Sequence, residues 1–413
     1  MKERIILHCD CNSFFASVET VLNPEYRNVP MAVCGSTEDR HGIVLAKNDL
    51  AKKYGVTTAE TVYSAKRKCP GLVIASPHYE KYREYSERVN AIYARYTDMI
   101  EPFGIDESWL DVTASSLMGS GKEIAERIRA EVKNELGITV SIGVSFNKVF
   151  AKLGSDYKKP DAITVISREN FKSIVYPLPV ENLLFVGRRT AESLRVLAIY
   201  TIGDLAAASH ELLVLKLGKA GGMLSAYARG EDSDPVEASS ENDAKSIGNG
   251  YTFRHDIVKP DECRAAIAHL SEIIGTKLRE RGLNCATVQL SVKDEFLRTI
   301  QRNAPQDPPT DIADEIAATA FKILRREWNS DKPIRMITVT ATNLVKRETV
   351  TEQLDFFGET LEQDEKRKKR GKREVAVEEI RKKFGSDAII RASVIDGNLG
   401  IYDSKNGKKH KST

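Results

Sequence analysis

The sequence has 413 residues, of which 41% are hydrophobic and 29% charged, and its net charge is +3. This composition is typical of a globular protein, and the length is sufficient for two or three domains. No apolar stretch approaches the roughly 20 residues of a membrane helix, and no signal-peptide core follows Met1, which predicts a cytoplasmic protein.

The first part of the chain alternates short strand patterns with helix patterns. An apolar run over 5–9 predicts a buried strand that ends at Asp10, and the pair Asp106 and Glu107 opens a second strand. Apolar residues at i, i+4 spacing predict an amphipathic helix over 122–136, ended by Gly137. Further strands are predicted over 42–45, 138–144 and 163–166, and further helices over 14–21, 48–54 and 79–99. Strands interleaved with helices in this way indicate a layer of helices on one central sheet.

The six cysteines show neither a CxxC pair nor the spacing of a zinc site. Cys9 and Cys11 flank Asp10 in or beside a strand, where they cannot easily form a disulfide with each other. We therefore expect reduced thiols, as in a reducing compartment.

The second part of the chain has a different pattern of predicted helices and strands. Short helices dominate from residue 168 to 236, and a polar linker is predicted over 237–245. A β-α-β-β-α-β order over 246–347 then predicts a small separate domain, with a loop at 305–309. The remainder, 348–413, is charged and tail-like, with a short helix predicted over 375–384.

Asp10, Asp106 and Glu107 are the strongest candidates for chemistry. Two like charges about 4 Å apart repel by roughly 1–4 kcal/mol, so a cluster of three carboxylates needs a compensating cation. Oxygen ligands suit Mg²⁺, and two such ions about 3.5–4 Å apart could catalyse phosphoryl transfer. Alternatively, Asp10 caps a strand and the acidic pair is a solvated turn. Spacing alone does not choose between these interpretations.

Three long sequence motifs, which occur in the same order as in a known family, favour the metal-binding interpretation. They are HCDCNSFFASVE at 8–19, GIDESWLD at 104–111, and SIGVSFNKVFAKL at 141–153 followed by KKPD at 158–161. Together they resemble the catalytic motifs of Y-family translesion DNA polymerases, most closely the bacterial DinB type. The similarity extends over about residues 4–345.

The resemblance implies an α+β fold, a right-hand polymerase. The palm would comprise 1–13 and 80–167, the fingers 14–79, the helical thumb 168–236, and the little finger 246–347. The implied reaction adds a dNTP to a primer 3′-OH under template direction, with low fidelity and no proofreading.

In this family the catalytic carboxylates bind two Mg²⁺ ions. The resemblance assigns that role to Asp10, Asp106 and Glu107, with the backbone carbonyl of Cys11 as a further ligand. Phe15 falls at the steric-gate position, where an aromatic ring would exclude a ribose 2′-OH by repulsion. Without the motif, plain core packing would be the simpler interpretation of Phe15.

The resemblance also predicts contacts to the incoming nucleotide. Lys159 stands at the position of a lysine on the triphosphate, Lys52 where the family usually has an arginine, and Phe14 beside the gate. A lysine supplies a point charge but not the bidentate fork of arginine. The family commonly has a tyrosine where this sequence has Asp49, and an acid there should repel a triphosphate. Lys52 is equally interpretable as part of a solvated helix face.

Candidate DNA contacts lie in the implied thumb and little finger. Gly187 and Arg188 stand where a Gly-x-Gly helix-hairpin-helix turn is usual, although only the first glycine is present. Arg298 and Arg302 lie on a basic strand that could contact the DNA backbone. Each of these signals is weak alone, because glycine turns and charged faces are common.

The segment QLDFF at 353–357 resembles the peptide with which bacterial replication proteins bind the β sliding clamp. The implied contacts are Gln353, Leu354, Phe356 and Phe357. Apolar side chains in a polar tail need a partner surface, although a last core strand is the alternative. A basic block at 366–373 could add DNA affinity or only solubility, and the sequence does not distinguish these.

Other functions remain possible at this stage. A two-metal nuclease or nucleotidyl cyclase would need neither a gate aromatic nor a clamp peptide. A non-catalytic DNA- or clamp-binding accessory protein would bind primer-template and incorporate nothing. Within the family, a mutasome-type (UmuC-like) subunit is the alternative to a self-sufficient monomeric polymerase acting on primer-template DNA.

Overall fold

The computed structural model describes residues 3–36, 42–238, 244–328, 332–349, 359–385 and 388–391. Contacts between Cα atoms divide the chain into two units. The first unit comprises residues 1–35 and 43–240, and the second comprises 241–413 with the short segment 36–42. Each unit is described by itself.

The first unit contains eight of the strands in the described residues and eleven of the α-helices. The strands are β1 (Ile6–Cys11), β2 (Met31–Cys34), β3 (Val44–Lys47), β4 (Val73–Ala75), β5 (Ile100–Pro102), β6 (Glu107–Asp111), β7 (Val140–Ser145) and β8 (Ile163–Ile166). The helices are α1 (Phe14–Leu22), α2 (Asp49–Lys53), α3 (Val62–Lys68), α4 (Tyr79–Tyr93), α5 (Gly121–Leu136), α6 (Lys148–Tyr157), α7 (Phe171–Val175), α8 (Arg188–Val196), α9 (Ile202–Ala207), α10 (His210–Leu217) and α11 (Lys219–Ala228).

A five-stranded sheet in the order β5-β6-β1-β7-β8 forms the centre of this unit. All six residues of β1 are buried, which explains its apolar sequence. The amphipathic helix predicted over 122–136 is confirmed as α5, whose core-facing positions are buried. A capping box between Ser120 and Glu123 starts this helix, and Gly137 ends it at φ 69°, where glycine avoids the strain of a left-handed backbone.

Two smaller layers complete the first unit. Strands β3, β2 and β4 form a second sheet in that order, with β2 antiparallel to β3 and parallel to β4. The short helices α7 to α11 surround an apolar cluster that also includes Phe150 of α6 and Phe146, just before that helix. The helix-rich stretch predicted after residue 168 is therefore observed.

The second unit has the predicted β-α-β-β-α-β order. Its elements are β9 (Ser246–Ile257), α12 (Pro260–Glu280), β10 (Leu283–Asp294), β11 (Thr299–Thr310), α13 (Ala313–Glu327) and β12 (Ile334–Lys346). The sheet order is β11-β10-β12-β9, and both helices cover one apolar face of it. The loop predicted at 305–309 is wrong, because Pro305, Pro308 and Pro309 lie within β11. β11 is an edge strand, where the missing proline N–H is tolerated.

One long helix, α14 (Glu359–Phe384), packs against α12 and α13. The short helix predicted over 375–384 is therefore only the C-terminal part of a 26-residue helix. The basic block 366–373 lies inside α14 rather than before it. Polar contacts to the rest of the unit, not an apolar stripe, hold this helix, and a search for apolar periodicity could not find it.

The six cysteine thiols are free, as predicted, and they are also buried. Cys9 and Cys11 lie on either side of Asp10 in β1. None of the helices in the described part of the chain is long and apolar enough to cross a membrane. The predicted linker 237–245 lies mostly outside the described residues.

Candidate active site

Two neighbouring strands carry the three predicted carboxylates to the same end of the five-stranded sheet. Asp10 of β1 is the cross-strand partner of Glu107 of β6. The next residue, Cys11, donates its backbone N–H to the carbonyl oxygen of Asp106 at 3.0 Å. Directly opposed residues of an antiparallel pair lie about 4.5–5.5 Å apart at Cα. The strand register therefore brings together Asp10, Asp106 and Glu107, which are distant in sequence.

The carboxylates differ in how far their negative charge is compensated. Burial, together with the negative charges of Asp10 and Glu107, raises the pKa of Asp106 to about 6. Burial would also raise the pKa of Glu107, but hydrogen bonds with His8 and Lys152 outweigh it and lower that pKa below its usual range. The protein therefore stabilises the negative charge of Asp106 less than that of Glu107.

Two lysine side chains lie among these carboxylates. Lys152 Nζ, on α6, is 3.2 Å from Asp10 Oδ2 and 2.5 Å from Glu107 Oε2. Lys159 Nζ is 2.6 Å from Asp10 Oδ2 and 2.6 Å from Asp156 Oδ1. Burial disfavours both ammonium groups, but the neighbouring carboxylates outweigh it and raise the pKa of both lysines. Both side chains are therefore expected to remain protonated.

The sequence motifs pointed to Lys159 but not to His8 or Lys152 as site residues. His8 lies two residues before Asp10, and the alternation of a strand places both side chains on the same face. Its Nε2 is 3.3 Å from Glu107 Oε2, and its Nδ1 is 2.8 Å from Ser155 Oγ. Strand periodicity could have indicated His8, whereas Lys152 reaches the site only through the packing of α6 across β1.

The donor set suits a hard divalent cation such as Mg²⁺, which prefers oxygen ligands. Burial raises the pKa of the Cys11 thiol well above its usual value, so a thiolate ligand is disfavoured and the backbone carbonyl remains suitable. Across the described residues, no three His, Cys, Asp or Glu side chains already converge as a metal centre. Here the ammonium group of Lys152 bridges Asp10 and Glu107. The raised pKa of Asp106, caused by burial and by its acidic neighbours, is the observation that fits a cation.

A cavity of about 320 Å³ opens beside the carboxylates. Asp10, Cys11, Asp106, Phe15 and Lys47 are among the residues that line it. Its lining therefore combines two acidic side chains with an aromatic ring and one ammonium group.

The ring of Phe15 is held in place at this cavity. It stacks on Tyr82 with 4.1 Å between ring centroids and an interplanar angle of 12°. Tyr82 in turn donates its hydroxyl hydrogen to the buried carboxylate of Glu19, which also contacts His78 Nδ1 at 2.9 Å. Phe14, in contrast, is 3% exposed and belongs to the apolar core, so that only part of its ring reaches the cavity.

Lys52 and Asp49 lie on the short helix α2, and both are exposed. Neither lines the cavity beside the carboxylates. Asp49 instead lines a separate cavity of about 260 Å³, together with Arg27 and Asn48. Asp49 therefore lines a different cavity from the one beside Asp10.

Gly187 and Arg188 mark the start of α8. Gly187 is the N-terminal capping residue with φ −79°, and a Cβ atom there would meet open space. The structure therefore does not require glycine at this position. Arg188 is 91% exposed and forms an ion pair of 2.9 Å with Glu192 one turn later.

Arg298 and Arg302 of the second unit are both exposed and both paired with carboxylates. Arg298 Nε is 2.9 Å from Asp294 Oδ2, and Arg302 Nε is 3.1 Å from Glu327 Oε2. Arg298 also lies over the exposed ring of Phe296. Exposed pairs of this kind contribute little to stability, so either arginine could exchange its partner for a phosphate.

The predicted clamp-binding residues Gln353, Leu354, Phe356 and Phe357 lie outside the described residues. The basic block 366–373 is described as part of α14, and Lys368, Lys369 and Lys372 in it are exposed.

Comparison with known proteins supports the resemblance of the motifs. Residues 9–156 match the impB/mucB/samB family, and residues 244–356 match the C-terminal domain of that family. DNA polymerase IV of Acetivibrio thermocellus is 48% identical to the chain over 395 residues, which is 95% of this chain and 98% of that protein. The chain belongs to the Y family of DNA polymerases.

Other similar proteins support the assignment of this chain to the Y family. DNA polymerase IV 1 of Bacillus subtilis (strain 168) is 34% identical over 394 residues, 95% of this chain and 94% of that protein. A solved Y-family DNA polymerase chimera has a TM-score of 0.74 at 25% identity, over 83% of this chain and 99% of that chain. The predicted DinB-type family, α+β polymerase fold and translesion DNA polymerase activity are confirmed, and the UmuC-like subunit and the non-catalytic accessory protein are not favoured.

Proposed function

We propose that this polymerase joins an incoming dNTP to a primer 3′-OH at the end of the five-stranded sheet. Asp10, Asp106 and Glu107 would hold two Mg²⁺ ions, with the backbone carbonyl of Cys11 as a further ligand. The observation that carries this proposal is the pairing of Asp10 with Glu107 across β1 and β6. In the reaction the 3′-oxygen forms a bond to the α-phosphorus, the bond from that phosphorus to the bridging oxygen breaks, and pyrophosphate leaves.

The side chains of the site divide this work among them. When bound, the metal ions would lower the pKa of the 3′-OH and stabilise the charge that develops on the phosphate oxygens. Lys159, whose Nζ lies 2.6 Å from Asp10 Oδ2, would neutralise the triphosphate. Glu107 is oriented by contacts with His8 and Lys152. Lys152, freed from the carboxylates when cations bind, would remain available to contact phosphate.

The proposed activity is tested by primer extension on undamaged templates and on templates with a single lesion. We expect extension with dNTPs and Mg²⁺, its loss when the metal is chelated, and its return when Mg²⁺ is restored. A protein that binds primer-template but incorporates no nucleotide under these conditions would be an accessory factor instead. We also propose that synthesis has low fidelity and no proofreading, which the same assay measures through mismatch extension and primer shortening.

The position of Phe15 predicts how the polymerase selects the sugar. Replacing Phe15 with alanine removes the ring at the cavity wall, and ribonucleotide incorporation should rise by about 10- to 100-fold, the usual worth of a small steric exclusion. Use of dNTPs should stay largely intact. The measurement compares kcat/KM for a ribonucleotide and its deoxy counterpart.

A control for this prediction removes an aromatic ring elsewhere in the same unit. Phe103→Ala deletes a partly exposed ring that packs on Trp109, at 4.6 Å between centroids, and does not line the cavity. This variant should discriminate against ribonucleotides as the wild type does. Unchanged sugar discrimination in Phe15→Ala would refute the gate.

We further propose that the segment 353–357 binds the β sliding clamp and tethers the polymerase to its template. A tether of this kind converts weak primer-template binding into an intramolecular event with an effective concentration of roughly millimolar order. The three carboxylates of the proposed active site converge within one chain, so catalysis would need no second copy, and we propose a monomer. Chromosomal DNA as the substrate supports a cytoplasmic location.

Replacing Gln353, Phe356 and Phe357 together with alanine should abolish stimulation by the clamp and leave basal primer extension unchanged. The assay measures products on primed DNA with and without loaded clamp. Replacing the flanking Thr351 and Glu352 with alanine is the matched control and should preserve stimulation. If the triple variant lost cooperative unfolding instead, these side chains would belong to a folded core and not to a clamp-binding peptide.

A further inference from the structure

Lys47, at the end of β3, is a cation that the sequence motifs did not single out. Its side chain is half-buried and lines the cavity that also contains Asp10, Asp106 and Phe15. Among the described residues that line this cavity, Lys47 is the one cation. Its Nζ donates a hydrogen bond to Thr58 Oγ1 at 2.8 Å, which fixes the ammonium group at the cavity wall.

The positive charge of Lys47 is not neutralised by an acidic side chain. Its hydrogen-bond partner, Thr58, is neutral. The carboxylate that acts on Lys47 electrostatically is Glu60, but Glu60 forms an ion pair of 2.8 Å with Lys68. Burial, and then the positive charge of Lys52, lowers the pKa of Lys47. Lys52 does not line the cavity, but its charge acts on Lys47, and the two cations together produce a positive potential that favours binding of an anion.

The other two lysines near the carboxylates, in contrast to Lys47, form ion pairs with acidic side chains. Lys152 contacts Asp10 and Glu107, and Lys159 contacts Asp10 and Asp156. Lys47 is therefore the lysine of β3 that is available to bind an anion in the cavity, and Lys52 on the following helix adds positive charge nearby.

We infer that Lys47 binds the triphosphate of the incoming dNTP, with Lys52 reinforcing the positive potential around it. This inference rests on the proposed polymerase function. A lysine suits the role as a compact point charge with three donors, which can contact phosphate oxygens without the fixed geometry of arginine. The departures of this chain from the family pattern at 49 and 52 are then compensated by a cation on β3.

Steady-state incorporation of a single dNTP on saturating primer-template tests this inference. Lys47→Met should raise the KM for dNTP about tenfold, or about 1.4 kcal/mol, while kcat stays within about twofold. Lys53→Met removes an exposed lysine of α2 and is the matched control, for which the KM should not change. Lys47→Arg should restore most of the affinity because it restores the charge.

Direct binding measurements separate the nucleotide from the DNA. On a primer ended by a dideoxynucleotide, Lys47→Met should weaken dNTP binding about tenfold and leave the Kd for primer-template unchanged. Unchanged dNTP binding would overturn the inference, as would a weaker Kd for primer-template with normal dNTP binding, because Lys47 would then contact a DNA phosphate. Failure of the wild type to extend primers would instead reject the proposed function. Lys47→Gln, which keeps a hydrogen-bond donor but removes the charge, replaces the methionine variant if the latter unfolds at lower temperature than the wild type.

Discussion

Replacing Asp106 with asparagine is expected to lower kcat for dNTP incorporation by about 1,000-fold or more. Metal ions that stabilise the transition state of phosphoryl transfer contribute several kcal/mol, and each 1.4 kcal/mol is about tenfold in rate. The asparagine keeps the size of the side chain but removes the charge that would hold the metal. Single-turnover primer extension at saturating dNTP measures the loss. Asp98→Asn, at an exposed carboxylate of the same unit, should extend primers at the wild-type rate.

The same substitution should make the metal-free protein more stable, which distinguishes a metal ligand from a structural carboxylate. The pKa of Asp106 is raised to about 6 in the folded state, from a value of 3.8 for a free side chain. The wild type therefore loses stability as pH rises from about 4 to about 6, and the full penalty is present above that range. Asparagine does not ionise and avoids this penalty.

The melting temperature of the metal-free Asp106→Asn variant should accordingly exceed that of the wild type at pH 8, and the difference should vanish near pH 4. Addition of Mg²⁺ should raise the melting temperature of the wild type more than that of the variant, because the ligand stabilises the state that binds it. A variant less stable than the wild type at pH 8 would contradict this, and its lost activity would then be attributable to damage of the fold.

The sequence predicts the carboxylates well for a physical reason. Asp10 follows a run of apolar residues near the end of β1, and an acid in a buried strand stands out against its surroundings. Helix α5 could also be predicted, because the spacing of its apolar residues and the position of Gly137 indicate the same helix end. What spacing alone could not show is the β1–β6 register, which joins segments distant in the chain. The motif resemblance supplied that proximity before the structure placed Asp10 opposite Glu107.

The residues that were overlooked depend on packing between elements. Lys152 reaches the carboxylates because α6 crosses β1, and Lys47 reaches the cavity because β3 ends there. A lysine in a strand or on a helix is usually a solvated side chain, so its type carries little information. The prolines of β11 led to the wrong prediction of a loop at 305–309. Proline is tolerated in an edge strand, and only the sheet order shows that β11 lies at an edge.

The sequence predicted only the C-terminal part of α14, because buried ion pairs, and not an apolar stripe, attach this helix to the rest of the second unit. Arg279 of α12 has a side chain only 7% exposed, and it pairs with Glu374 at 2.7 Å and with Glu378. Glu374 also accepts the backbone N–H of Ala313 at 3.1 Å, at the start of α13. Thr276 donates its hydroxyl hydrogen to Glu378 Oε1 at 2.8 Å. These contacts satisfy charges that would otherwise be buried without partners.

Arg279→Met should therefore lower the free energy of unfolding of the second unit by about 3–5 kcal/mol, because it leaves two largely buried carboxylates unpaired. The chain has two tryptophans, Trp109 in the first unit and Trp328 in the second. In a Trp109→Phe background, fluorescence of Trp328 reports denaturant unfolding of the second unit alone. The midpoint should fall in the Arg279→Met variant without a change in slope.

Two further variants decide whether the lost stability comes from the buried charges. Arg373→Met removes an arginine that is 59% exposed and pairs with Asp314 at 2.7 Å, and it should cost no more than about 1 kcal/mol. Adding Glu374→Gln and Glu378→Gln to Arg279→Met should recover most of the lost stability, because no unpaired charge then remains buried. If Arg279→Met and Arg373→Met shifted the midpoint equally, the ion pairs beneath α14 would be no stronger than those at its exposed edge.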